Sequence, residues 1–125
     1  MSITEAEWKA MKVVWEHYPA SARDVHEVLE EETGWAYSTV RTILNRLVEK
    51  GVLAVRRRAN TNLYHPLVSR RGALRRELQS VLNRAFDSST EALMRLLLDE
   101  SELSEADRDA LRERINRNHD PSSAR

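Results

Sequence analysis

The segment AYSTVRTILNRLVEKG, Ala36 to Gly51, combines residue types and a spacing that suit one kind of chemistry. Val40, Ile43, Leu44, Leu47 and Val48 recur at i, i+3, i+4, i+7 and i+8, the apolar stripe of a helix that packs on a core. Ser38, Arg41, Thr42, Asn45 and Arg46 fall on the other side, and no acid interrupts them before Glu49. An ordinary solvated face mixes Glu with Lys. A face of Arg, Asn, Ser and Thr instead carries groups that suit a DNA groove: Arg for guanine edges and phosphates, Asn for adenine, hydroxyls for phosphates or either base. Tyr37, Ser38 and Thr39, at the start of the helix, are placed to touch phosphate through side chains and helix-terminal N–H groups.

Other chemistries find little support. Cysteine is absent, which excludes a disulfide framework, a Cys-ligated zinc or Cu(I) site and a thiolate nucleophile. His17, His26, His65 and His119 are scattered without metal-ligand spacing, so no metal is expected. No nucleophile elbow or base-orienting acid marks an enzyme, and the run Glu30, Glu31, Glu32 reads as a solvated helix end. No cofactor is expected. No apolar run approaches the roughly 18 residues of a membrane span, and no signal-peptide layout opens the chain, so no membrane insertion and a cytoplasmic location are expected. Three Gly and three Pro argue against a turn-rich, all-β fold.

The net charge is zero, but its distribution is uneven. Met1 to Gly34 holds three basic and eight acidic residues, net −5. Trp35 to Arg76 holds ten basic residues and one acid, net +9, and Glu77 to Arg125 seven basic and eleven acidic, net −4. A polyanion feels the local field, so a neutral chain with a basic middle can still present a positive face. The alternative is a basic middle neutralised by the acidic ends in the fold.

The elements that position these residues can be read from caps and periodicity. Thr4 with Glu7 forms a capping box that opens a first helix, whose stripe is Trp8, Met11, Val14 and Trp15, and Pro19 and Ala20 end it. Ser21 with Asp24 opens a second helix, striped by Val25, Val28 and Leu29 and stopped at Gly34. The Ala36–Gly51 helix is third. Ala36 stands where an oxygen-bearing cap is usual, which costs roughly 1 kcal/mol unless the boundary shifts to Tyr37 or Ser38. Then VLAVRRRANTNLYHPLV alternates with a period near two around a polar turn at Ala59 to Asn62, a two-stranded hairpin with Pro66 closing or edging the return strand. Arg57, Arg58, Asn60 and Thr61 lie at its tip. Arg56, Arg57 and Arg58 alternate in direction if the strand continues, so they do not all face one way. Tyr64 and the three Trp read as core. Ser69 caps a long helix to about Phe86, Ser88 with Glu91 a further one, and Ser104 with Asp107 the last, with Leu103 as its staple. The fold class is mainly α with a small β-hairpin.

Three helices and a hairpin in this order make a winged helix-turn-helix, with the third helix as the reader and the hairpin as the wing. The candidate DNA contacts are Tyr37, Ser38, Thr39, Arg41, Thr42, Asn45, Arg46, Arg57, Arg58 and Asn60. The later helices are too few and too one-sided for a core of their own. Two copies would bury Leu74, Leu78, Val81, Leu82, Phe86, Leu93, Leu96, Leu97, Leu111 and Ile115 against each other. The division is a winged-helix domain over 1–68, a helical dimerisation domain over 69–118 and a flexible tail over 119–125. Two rivals remain at this point: a winged-helix adaptor that docks protein, and a small-molecule-responsive regulator with a cavity between its two parts.

ITEAEWKAMKVVW, GWAYSTVRTILNRLVEKGVL and YHPLVSR, with the spacing between them, resemble the BlaI/MecI/CopY, or penicillinase-repressor, family of bacterial repressors. The resemblance runs over nearly the whole chain. It implies a homodimeric repressor that binds inverted repeats at promoters, with a membrane sensor-protease or another protease relieving repression by cleavage within the dimerisation helices. That region is Leu93 to Leu98 here. The staphylococcal-type pattern has an Asn-Phe bond at the position that Leu96-Leu97 occupies in this chain. The copper-sensing branch uses a Cys-rich tail, which a Cys-free chain lacks.

Overall fold

A computed structural model describes residues 2–119. The chain forms two compact units, the first ending at Glu77 and the second starting at Leu78. The first contains α1 (Glu5–His17), β1 (Ala20–Ser21), α2 (Ala22–Thr33), α3 (Tyr37–Glu49), β2 (Leu53–Arg58), β3 (Thr61–Pro66) and the start of α4 (Arg70–Ala85). The expected boundary at 68/69 lies earlier than this division. Ala73 on α4 is buried, and Ile3 N–H donates to Glu77 Oε1 at 3.2 Å, so the first two turns of α4 pack with the winged helix.

Both expected capping boxes form. Thr4 Oγ1 accepts from Glu7 N–H while the Glu7 side chain accepts from Thr4 N–H, and Ser21 and Asp24 repeat the exchange. Gly34 ends α2 in the left-handed conformation, φ 66°, its N–H donating to Glu30 carbonyl at 2.8 Å. A residue with Cβ would be strained there. The three-residue turn into α3 is fixed from both sides: Thr33 Oγ1 accepts from Trp35 N–H, and His26 Nε2 is 3.0 Å from the Trp35 carbonyl.

The sheet has three strands in the order β1-β3-β2, where a two-stranded hairpin was expected. Ala20 and Ser21 are extended after Pro19 and pair with Tyr64 and Leu63 on β3. Two residues are too short a run for periodicity to signal a strand. The wing turn is also tighter than expected: Thr61 pairs with Arg58 and Asn62 with Arg57, leaving Ala59 and Asn60 as the tip, with Ala59 at φ 55°. Pro66 closes β3 opposite Leu53, as expected.

The core of this unit joins Met11 and Val14 of α1, Val25 and Leu29 of α2, Val40, Ile43, Leu44 and Leu47 of α3, and Val52, Leu53 and Tyr64 of the wing. Each buried Leu or Val stabilises the fold by about 1.5–3 kcal/mol relative to exposure. Trp15 and Trp35 are partly buried and pack against this core. The Trp8 ring lies 5.9 Å from that of Trp15, so these aromatics support the fold.

The second unit contains the rest of α4, then α5 (Thr90–Glu100) and α6 (Glu105–His119). The cap of α5 is Ser89, not Ser88: Ser89 Oγ accepts from Ala92 N–H at 3.1 Å. Ser88 instead takes a left-handed backbone, φ 64°, and its N–H donates back to Leu82 carbonyl at 2.8 Å, closing the α4 terminus. Ser104 caps α6 through Asp107 N–H, as expected. Since α6 reaches His119, the expected tail is shortened by one residue, and 120–125 lie outside the described residues.

Burial divides the expected interface residues. Leu82 and Ile115 are already buried within the single chain, where an open interface side chain was expected. Val81, Phe86, Leu93, Leu97 and Leu111 are half-buried. Leu74, Leu78 and Leu96 are about half exposed, at 49%, 49% and 47%, and are the apolar side chains left open.

Candidate nucleic-acid interface

Every α3 residue singled out for DNA contact is exposed: Tyr37, Ser38, Thr39, Arg41, Thr42, Asn45 and Arg46. The four apolar residues on its opposite side, Val40, Ile43, Leu44 and Leu47, are all buried. The helix therefore has one face fixed in the core and one free, which is what a reading helix requires. Its start lacks a side-chain cap, as Ala36 dictates, so the first-turn N–H groups meet no side-chain oxygen there. A phosphate oxygen can accept from such groups. Glu49 is the helix's only acid, in its last turn, where no base contact is expected.

Hydrogen bonds set what each side chain can offer. Thr42 Oγ1 donates to Ser38 carbonyl at 3.0 Å, so its proton is committed within the helix and it offers lone pairs and a methyl group. Tyr64 O–H donates to Asn45 Oδ1 at 3.1 Å. The Tyr37 ring packs edge-on against His26, 5.9 Å between centroids, which fixes it at the α2–α3 junction.

The wing supplies the second half of the surface. Arg56, Arg57, Arg58, Asn60 and Thr61 are all exposed. The pairing register places Arg57 on the same face of the ribbon as Asn62 and Tyr64, toward α3, and Arg56 and Arg58 on the reverse face. Arg57 and Arg58 therefore cannot both address the α3 side. Between α3, the wing tip and the start of α2 lies a hollow of about 440 Å³ lined by Ser21, Ala22, Arg23, Tyr37, Arg41, Asn60, Thr61, Asn62 and Tyr64. It holds two Arg and no acid. Burial pushes the Tyr64 phenol above the ordinary tyrosine range, against the opposing charge of Arg41, so at neutral pH it is a neutral O–H donor.

Arg23 is the residue that sequence reasoning missed. It sits among the acids of α2, and only the fold brings it beside Arg41 and the wing tip. Glu7 was read as a capping partner alone, yet it is 2% exposed and pairs with Lys50 at 2.5 Å. Burial would raise its carboxyl, but hydrogen bonds from Lys50 and Thr4 and the Lys50 charge hold it below the usual carboxylate range. This pair ties the end of α3 to α1.

Of the ten basic residues between Trp35 and Arg76, Lys50 is the one that forms an ion pair among the described residues. Among the described residues no group of His, Asp and Glu is gathered to hold a metal, and no helix is long and apolar enough to cross a membrane.

The penicillinase repressor family model matches residues 3–117. The chain belongs to that family. It is 28% identical over 102 residues to the penicillinase repressor of Bacillus licheniformis, covering 82% of this chain and 80% of that one. It is 24% identical over 115 residues to the methicillin resistance regulatory protein MecI of Staphylococcus aureus (strain N315), covering 92% and 94%. Among solved structures it resembles the Bacillus licheniformis BlaI monomer in complex with the blaP half-operator, with TM-score 0.50 and 30% identity over 56% of this chain and 85% of that one. The match supports the mainly α, winged-helix architecture expected of a family member.

Proposed function

We propose that this chain is a sequence-specific DNA-binding transcriptional repressor, with no catalytic step, that acts as a homodimer on an inverted-repeat operator. The observation that carries this reading is the α3 face, exposed from Tyr37 to Arg46, free of acid and backed by a buried stripe. Arg41, Asn45 and Arg46 enter the major groove with Ser38 and Thr42. Tyr37, Thr39, Arg57 and Asn60 hold the flanking backbone, with Arg23 beside them, and Arg58 reaches phosphate from the reverse face of the wing. The BlaI half-operator complex supports one copy per half-site. Two copies then require half-sites about 34–36 Å apart, or a multiple of that, on one face of the duplex.

The dimer uses the helical part of the chain, with Leu74, Leu78 and Leu96 as its exposed anchors. A dimer seated across a promoter excludes RNA polymerase, and its target places it in the cytoplasm. Proteolytic relief at Leu96-Leu97 would act on the middle of α5, so that helix must open before a protease can cut.

Fluorescence anisotropy tests the reading. The probes are a duplex from the chain's own upstream intergenic region and a shuffled duplex of equal length, each at two salt concentrations. Preference for the native duplex by about 10³-fold or more is expected. Absence of binding to either duplex at low salt overturns it.

A further inference from the structure

Asn45 is the one α3 side chain on the reading face whose amide is held by the core. Tyr64 is 3% exposed and sits on the central strand β3, paired with Ala20 on one side and Val55 on the other. Its phenol oxygen is therefore a fixed point, and its O–H donates to Asn45 Oδ1 at 3.1 Å. An amide is planar, so an Oδ1 turned toward the wing sends Nδ2 the other way. The reverse orientation would place Nδ2 against the phenol and leave the phenol proton needing another acceptor. Ser21, Asn60, Thr61 and Asn62 line the same hollow, yet among the described residues the phenol's hydrogen bond goes to Asn45 Oδ1.

We propose that Tyr64 is a positioning residue that sets the base specificity of Asn45, turning its carboxamide so that it presents only N–H donors to the major groove. This rests on the DNA-binding reading above. Asparagine selects adenine by accepting from N6 and donating to N7 together. With Oδ1 held inward, that pair is lost. The Nδ2 donors still suit purine N7, guanine O6 and thymine O4, and are repelled by the cytosine N4 amino group. Asn45 therefore disfavours cytosine and gains nothing from the adenine N6 amino group, so it does not select adenine.

The test is selection from a pool of randomised duplexes with the full chain, its Tyr64→Phe variant and its Asn45→Ala variant. The position read by Asn45 is the one whose preference vanishes in Asn45→Ala. In the unaltered chain that position should show no preference for adenine over guanine. In Tyr64→Phe the amide is free to turn, and adenine should rise about five-fold or more over guanine. The ring stays in the core, so the variant should keep its fold, and the preference of the unaltered chain is read without any variant. A position already selective for adenine in the unaltered chain overturns the proposal. So does a profile unchanged by Tyr64→Phe, or one unchanged by Asn45→Ala. If the unaltered chain enriches no sequence at all, the DNA-binding reading falls with it.

Discussion

Replacing Lys50 by Met should destabilise the winged helix far more than a partly exposed lysine would suggest. Lys50 Nζ donates to Glu7 Oε1 at 2.5 Å and to the Ser2 carbonyl at 2.8 Å. Glu7 is 2% exposed, and its Oε2 makes no hydrogen bond. Methionine keeps the apolar stem but strands a buried carboxylate, a change that costs about 3–5 kcal/mol. At about 4–8 °C per kcal/mol for a unit of this size, the midpoint should fall by at least about 12 °C. Glu7→Gln should cost less, about 1.5 kcal/mol, because the amide oxygen still accepts from Thr4 N–H and Lys50 can turn to solvent. The double variant should therefore be more stable than Lys50→Met alone. The pH dependence should also change. In the native chain the Glu7 carboxyl is held low, so its stabilisation is present above the usual carboxylate value of about 4.3 and is lost as pH falls through the lower, folded value. In Lys50→Met the carboxyl loses the Lys50 bond and charge while burial, the largest influence, stays, so its folded value should lie above the native one and the variant's deficit should shrink as pH falls through that value. Thermal melts followed by circular dichroism between pH 4 and 8 measure all of this. A Lys50→Met chain within about 0.5 kcal/mol of the native one at pH 7 would refute the reasoning.

Four further outcomes are expected. Arg41→Ala should weaken operator binding by about 1–3 kcal/mol in anisotropy, and an unchanged affinity would remove this face of α3 from the interface. Arg57→Ala should weaken binding to all duplexes comparably and lower the slope of log affinity against log salt by about one, whereas a sequence-dependent loss would mean that it reads bases. Leu78→Glu should shift the chain toward monomer in sedimentation with little change in its melting midpoint. Leu82→Ala should instead destabilise by about 2–5 kcal/mol through its buried cavity, and equal behaviour of the two would contradict the division between exposed and buried leucines.

The helices were legible because their signals are local. Capping boxes at Thr4 and Ser21, the Gly34 stop and the uncapped Ala36 start all depend on residues within four positions of one another, and all form. What escaped depends on distance in sequence. Ala20 and Ser21 become a strand only because β3, more than forty residues on, offers an edge. Arg23 joins the basic surface only because α2 begins beside the wing. Ser88 and Ser89 are both plausible caps, and the backward bond from Ser88 N–H to Leu82 decides between them. An apolar stripe alone also could not separate Leu78 from Leu82, since both lie on it and α5 and α6 must be placed before either is known to be covered.

The zero net charge shows how tertiary placement can produce a function that composition hides. The ion pairs of the described residues lie almost entirely within the N-terminal third or the C-terminal third: Lys9 with Glu32, Arg95 with Glu91, Arg112 with Asp109 and Arg117 with Glu113. The single crossing pair, Lys50 with Glu7, involves a cation at the far end of α3 from Tyr37. Each acidic third thus satisfies cations of its own, and the arginines of α3 and the wing keep their full charge beside one another. A polyanion approaching the hollow between α3, the wing tip and the start of α2 meets Arg23 and Arg41 there, with Asp24 as the neighbouring acid, held by the Ser21 N–H. A neutral composition therefore does not exclude a local surface where arginines outnumber acids, and it is that local balance a polyanion feels.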